Sequence, residues 1–352
     1  MSSEHVIECR QAGKVYRTLE RANGVLGFAR SFFRRREREH VALRAIDLQV
    51  KRGELVGLIG QNGAGKTTLV KCLTGIVPFS QGEARLLGHD CFQLTHADKR
   101  KLSLVMGQRS QLWWDIPAID SFRLLKEIYS IDRHDFERRL REHAERLDVV
   151  DRLSVQLRQL SLGERMKMEI IGAFLHDPEV VFLDEPTIGL DLISQETIRV
   201  FLREVNRTRG ATIVLTSHDM ADIEETCDRL LILDEGALLF DGPLLDLQRR
   251  LVGRRAIEVH LEPGASAWSP ELDEQLARFG ASLVRQGPLS LTFDVPSNRA
   301  RPFVQQLLGL LPVRDLSIER QPLEHLIRSI FRSGELHAER SSNAPAAQGP
   351  QP

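Results

Sequence analysis

Cysteine is scarce in this chain of 352 residues: Cys9, Cys72, Cys91 and Cys227 are the only four, and they lie far apart. No two of them have the spacing of a metal site, so they read as free thiols of a reducing compartment. No apolar run approaches the length that crosses a bilayer, and the N-terminal MSSEHVIECR lacks the apolar stretch of a signal peptide. Any membrane crossing is therefore expected of a partner chain. An excess of one charge is also missing: 48 Lys and Arg stand against 49 Asp and Glu, a net charge of −1. That balance leaves no electrostatic footprint for nucleic acid. No repeat of about 20–50 residues is present.

What is there is apolar patterning for a large core, with 42% hydrophobic and 28% charged residues over a length that suits two domains. Residues 1–16 and 41–51 alternate as strands. ELVGLIG at 54–60, VVFLD at 180–184 and TIVLTS at 212–217 are short apolar runs typical of buried parallel strands. Strands that alternate with helices predict an α/β parallel sheet covered on both faces. The helical, charge-rich block at about 109–175 interrupts that sheet and reads as an inserted subdomain. From about residue 251 the pattern becomes that of a small α+β domain ending near 334. The Ser-, Ala-, Gln- and Pro-rich stretch 335–352 reads as a disordered tail.

Residues 17–40 form an insertion between the first two strands. Val25, Leu26, Ala29, Phe32 and Phe33 fall at helical spacing beside Arg30, Arg34, Arg35, Arg36 and Arg38. A basic amphipathic helix suits a membrane surface or an acidic partner. The alternative is an apolar face docked on the chain's own core with the arginines in solvent.

Two motifs carry chemistry. Gly60, Gln61, Asn62, Gly63, Ala64, Gly65, Lys66 and Thr67, followed by Thr68, match G-x-x-x-x-G-K-[ST] between a strand and a helix. The glycines let backbone N–H groups turn inward around phosphates, and the helix adds its positive N-terminal end. Lys66 is expected to reach the β- and γ-phosphates and Thr67 to coordinate Mg²⁺. The second motif, Asp184-Glu185, ends an apolar strand at the sheet edge where open α/β sheets bind ligands. Neighbouring strand residues point to opposite sides. Asp184 is therefore assigned to the metal and Glu185 to the attacking water as general base.

Four weaker features share the order and spacing of one family: Gln108 in VMGQRSQLWWD, Ser161 and Gly163 in LSLGE, Asp191 closing TIGLD, and His218 after TIVLTS. Taken with the phosphate loop and the acid pair, residues 1 to about 248 resemble the ATPase subunits of ABC transporters. The resemblance implies an ATP-hydrolysing subunit that works as a dimer on the cytoplasmic face of a membrane. It implies that Gln108 links Mg²⁺ and water to the transport domain, and that Ser161 and Gly163 contact the γ-phosphate held by the opposite subunit. Asp191 resembles the D-loop aspartate, His218 the switch histidine on the γ-phosphate, and Tyr16 the aromatic that stacks on adenine; the other reading of Tyr16 is a packed edge aromatic. Leu162 replaces a glycine of the usual LSGGQ and Glu164 adds negative charge, which implies lowered affinity or rate. LSLGERMKMEI, SQLWWDIPAIDSF and FLDEPTIGLD resemble the branch of sodium- and daunorubicin-type exporters, whose partners are ABC-2-type permeases. The ribosome- and DNA-acting members of the family carry two cassettes or a long coiled coil. This chain has one cassette and no sustained heptads. Trp113 and Trp114 follow the Gln108 segment; in extended chain one is expected to pack inward and the other to face a permease, the alternative being that both belong to the core.

Overall fold

The computed structural model describes residues 4–19, 37–107, 110–251, 254–263, 270–320 and 327. The chain divides into two compact units, Met1–Gly242 and Pro243–Pro352.

In the first unit, β1 (His5–Leu19) and β2 (Glu37–Lys51) pair antiparallel, and β4 (Gln81–Leu86) and β5 (His89–Asp90) extend them into a four-stranded sheet ordered β2-β1-β4-β5. Pairing continues through Arg17↔Glu39 to Leu19↔Glu37, inside the stretch 17–40 read as an insertion. Residues 20–36, with the expected amphipathic helix, lie outside the described residues, as does the tail 335–352.

The second sheet is the scaffold of the site. It contains β3 (Leu55–Ile59), β6 (Leu102–Met106), β7 (Val180–Asp184), β8 (Thr212–Thr216), β9 (Arg229–Asp234) and β10 (Ala237–Pro243), ordered β10-β9-β3-β8-β7-β6. Neighbours from β9 to β6 run parallel. Every residue of β3, β7 and β8 is buried, as near-continuous apolar runs covered on both faces require. The parallel register gathers the carboxyl ends of β3, β6, β7 and β8 at one edge. Helix α1 (Lys66–Leu73) leaves β3 there, and its Leu69, Val70 and Leu73 join Ile7, Leu43, Val56, Phe182 and Leu231 in one core.

Helices α3 (Ala118–Tyr129), α4 (Arg133–Arg146) and α5 (Leu162–Phe174) form the inserted helical block; the short α2 (His96–Lys99) precedes it. Helices α6 (Leu192–Arg209) and α7 (Met220–Thr226) follow β7 and β8.

The second unit begins earlier than residue 251, with helix α8 (Leu244–Leu251). Next come β11 (Arg254–Leu261), α9 (Pro270–Phe279), β12 (Ser282–Gln286), β13 (Ser290–Pro296), α10 (Ser297–Leu310) and β14 (Val313–Arg320). The antiparallel sheet order β12-β13-β11-β14 makes this a split βαβ, ferredoxin-like unit. Ile257, Val259 and Leu261 alternate with outward polar residues and pack with Phe293, Leu272, Phe303 and Leu307, one sheet face against two helices.

All four cysteines are free and buried; burial pushes Cys72 up to about 11 and Cys9 to about 12, so they serve as packing residues. His143 is also buried, and His176 is half-buried. His143 sits edge-on to Phe201 at 5.3 Å, and His176 stacks on Tyr129 at 3.9 Å. Burial, with Arg209 and Arg146 nearby, depresses His143 from 6.5 to about 3, and burial depresses His176 to about 4. Below pH 6.5 the unfolded chain therefore takes up protons that the folded chain refuses, and stability falls as the pH is lowered. Tm should decline between pH 6.5 and about 5, above the range in which ordinary carboxylates titrate. His143→Phe should flatten part of that decline; an equal slope in both proteins would show that His143 does not drive it.

Candidate active site

The phosphate loop folds as its sequence requires. Gly65 precedes α1 with φ 108°, and a Cβ there would lie 2.6 Å from the Ala42 carbonyl oxygen, so any other residue is excluded by both strain and contact. No side chain caps α1. Its first N–H groups stay directed at the cleft, the arrangement that binds anions. Lys66 is buried, and its Nζ donates to the carbonyls of Gly60 (2.7 Å) and Gln61 (3.3 Å). It lies 3.9 Å from Glu185 Oε1. Burial lowers its pKa, and the charges of Glu185 and Asp184 oppose that shift.

The acid pair is split by backbone geometry. Asp184 ends β7 in extended conformation, and the next residue, Glu185, turns left-handed with φ 54°. That region is uncommon for a non-glycine residue and persists only where neighbours hold it. Thr216 at the end of β8 is the holder. Its backbone O and its Oγ1 both accept from the Glu185 N–H, at 3.1 and 3.0 Å. The same Oγ1 donates to Asp184 Oδ1 at 2.7 Å, and Thr67 Oγ1 donates to Asp184 Oδ2 at 2.8 Å. Glu185 is left facing Lys66 on one side and His218, 3.7 Å away at Nδ1, on the other.

These groups line a cleft of about 620 Å³. Tyr16, Gln61, Asn62, Gly63, Gly65, Lys66, Thr67, Thr68, Asp184, Glu185 and His218 all reach it; Gly60 and Ala64 belong to the same turn behind it. His40, directly across the ladder from Tyr16, and Lys71 also line it and were missed from sequence. Thr216 was missed as well. One of two threonines flanking the apolar run of β8, it carries no signal in the sequence alone. Gln108 lies outside the described residues.

Ser161, Gly163 and Asp191 are not in this cleft. Ser161 caps α5 in a reciprocal box: Glu164 N donates to Ser161 Oγ (3.2 Å) and Ser161 N to Glu164 Oε2 (2.9 Å). The added charge of Glu164 is thus spent on the cap and on Arg152 at 2.8 Å, and those bonds hold its carboxyl below the usual range. Asp191 caps α6 through Ser194 N (2.9 Å) and Oγ (2.7 Å). A Cβ on Gly163 would sit 2.3 Å from Ser194 Oγ, so Gly163 is where the two caps of one chain meet. Trp113 and Trp114 depart from expectation: both are 46% exposed, and neither packs inward. Trp114 lies instead beneath Arg165, whose guanidinium is 4.3 Å from the ring.

Among the described residues no helix is long and apolar enough to cross a membrane. A family profile described as ABC transporter matches residues 43–188, and one described as the C-terminal domain of EvrA-like ABC transporters matches residues 254–319. The chain is 30% identical to the ABC transporter ATP-binding protein NatA of Bacillus subtilis over 58% of this chain and 83% of that one. It is 31% identical to the linearmycin resistance ATP-binding protein LnrL of the same organism (62% and 69%) and 30% identical to the daunorubicin resistance ATP-binding protein DrrA3 of Streptomyces coeruleorubidus (63% and 70%). Among solved structures, the ATP-binding subunit of an ABC transporter superposes with a TM-score of 0.57 at 26% identity, over 70% of this chain and 92% of that one. A dimeric ATP-binding cassette in a post-hydrolysis state, bound to ADP and phosphate, gives 0.56 at 22%, over 68% and 98%. The phosphate loop, the acid pair and the parallel sheet that presents them are those of an ATP-hydrolysing subunit, and the chain belongs to the ABC transporter ATP-binding family.

Proposed function

We propose that this chain energises export through ABC-2-type permease subunits on the cytoplasmic face of the inner membrane, and that it works as a homodimer whose two sites each draw on both chains. The observation that carries the catalytic part is the convergence of Lys66, Thr67, Asp184, Glu185 and His218 in one cleft. NatA, LnrL and DrrA3, two of them named for drug resistance, support the transport part.

The site fits Mg²⁺: Thr67 hydroxyl and Asp184 carboxylate, 2.8 Å apart, are hard oxygen donors, and substrate phosphates would complete the set. When bound, the ion would neutralise charge on the phosphate oxygens. The chain's own groups do the rest. Tyr16 stacks on the base. The backbone N–H groups of Gly60–Thr68 and the N-terminus of α1 hold the phosphates. Lys66 exchanges its contact with Glu185 for the β- and γ-phosphates. Glu185, released, accepts a proton from the water whose oxygen attacks the γ-phosphorus; the bond from that phosphorus to the bridging oxygen breaks, giving ADP and phosphate. His218 and Gln108 orient the γ-phosphate and the water. Ser161, Gly163 and Asp191, outside their own chain's cleft, serve the ATP of the other.

Glu185→Gln should bind ATP and release phosphate about 100-fold or more slowly, the usual effect of losing a general base. Near-wild-type turnover would overturn its assignment. Mixing two inactive variants, Lys66→Ala and Ser161→Arg, should restore part of the activity, because the mixed dimer holds one intact composite site. No recovery on mixing, with mixed dimers demonstrated, would sink the shared-site reading. Trp113, unstacked beside the Arg165–Trp114 pair, is the proposed permease contact. Trp113→Ala should weaken permease co-purification while leaving Tm unchanged; undiminished co-purification would remove Trp113 from that surface.

A further inference from the structure

The segment that follows Gln108 is fastened to the helix that Ser161 caps, and the fastener is a buried carboxylate. Glu169, two turns into α5, is 6% exposed. Its Oε1 accepts from Gln111 N (3.1 Å), from Leu112 N (3.3 Å) and, at short range, from Ser110 Oγ; its Oε2 accepts from Gln111 N at 3.1 Å. Burial raises its pKa, and the Ser110, Gln111 and Leu112 donors together with Arg165 pull it back down. The chain before Gln108 is fixed just as firmly, but to the other side. Gly107 N donates to Asp184 O at 2.8 Å, and a Cβ on Gly107 would lie 2.3 Å from Glu185 O. Gly107 and residues 110–112 therefore have different anchors. One is the backbone of the acid pair, the other is α5.

We propose that Glu169 is a positioning residue: it locks residues 110–112 onto α5, so that the helix bearing Ser161 and Gly163 and the chain leaving β6 keep one fixed arrangement. A core helix that needed only packing would carry an apolar residue here. A carboxylate taken out of water is costly unless its bonds are specific. The bonds of Glu169 go to consecutive groups of a single irregular segment, which would otherwise be free to take other paths. The inference rests on the ATPase reading of the cleft.

The test is Glu169→Gln in the full chain, with hydrogen exchange over 110–114, thermal unfolding, ATP affinity and ATP turnover measured together. The carboxamide keeps the volume but offers one acceptor oxygen and turns an NH₂ toward amide donors. Exchange at Gln111 and Leu112 should accelerate about tenfold or more, as expected when bonds to a charged acceptor are lost. Tm and ATP affinity should stay at the wild-type values, because the phosphate loop is untouched. Turnover should fall about tenfold or more with KM unchanged, the effect of slight misplacement at a reacting centre. Unchanged exchange would overturn the fastening. Accelerated exchange with full turnover, or a parallel loss of turnover and Tm, would overturn the positioning role. Ser110→Ala removes one donor without altering α5 and should move turnover the same way, by a few-fold, at constant Tm; if Glu169→Gln does not fold, this variant decides. The exchange measurement needs no turnover, so an inactive wild-type chain would count against the reading of the cleft and leave the fastening still decidable.

Discussion

Asp184 receives two hydroxyls, one from Thr67 at the start of α1 and one from Thr216 at the end of β8. The cleft depends on that pair of bonds. They join the phosphate loop, β7 and β8 through one carboxylate. Because Thr216 also accepts the Glu185 N–H, the same hydroxyl that fixes one acid sets the backbone of the next. Without that bond the left-handed turn at Glu185 rests on the Thr216 backbone carbonyl alone. With it, the last residue of β7 and the turn residue after it present carboxylates to different tasks: Asp184 among hydroxyls suited to a cation, Glu185 between Lys66 and His218.

Much of this was legible in the sequence, for physical reasons. The runs LVGLI, VVFLD and TIVLT predict buried strands because only parallel strands covered on both faces dispense with polar alternation. Parallel strands in turn bring their carboxyl ends to one edge, so the phosphate loop, the acids and His218 had to meet. The glycines of the loop are dictated locally, by positive φ and close backbone approach. What was not legible depends on long-range contact. Thr216 reads as one more β-branched strand residue until β7 lies beside it. Glu169 reads as a surface charge on a helix until the chain at 110–112 is laid against it. The Trp113–Trp114 pair defeated the alternation rule because the segment is not a strand: Trp113 N donates to Ser121 Oγ at 3.3 Å and Trp114 O accepts from Arg158 N at 3.1 Å, so each is fixed by a different neighbour.

The departures from the usual signature also change meaning in three dimensions. A negative residue at 164 near a bound phosphate implies repulsion. Here Glu164 closes a reciprocal cap with Ser161 and meets Arg152, so its charge is compensated within the chain. That arrangement makes the first turn of α5 rigid, and Gly163 brings that turn into contact with the cap of α6 at Ser194. The residues proposed to act on a second chain's nucleotide are therefore held together as one preformed surface, independent of the cleft their own chain supplies.

Three buried carboxylates share a design. Asp184 ties α1 to β7 and β8. Glu169 ties the segment after β6 to α5. Asp222, 1% exposed on α7, accepts from Ser217 Oγ (2.9 Å), from Arg199 Nη1 (3.0 Å) and, at short range, from Thr187 Oγ1. Thr187 lies two residues after Glu185, and Ser217 immediately before His218. Buried charges contribute little net stability, since desolvation offsets most of what their bonds gain. Apolar residues of like volume would serve a core at least as well. What a carboxylate adds is direction, because it satisfies itself only when several donors converge at fixed angles. Between them they draw donors from the end of β8, from loops at the carboxyl edge of the sheet and from the segments those loops lead into. Loops are the part of an α/β fold that hydrophobic burial leaves least defined. Apolar strands can therefore set where the edge of the sheet lies, and the buried acids set the paths of the chains that leave it.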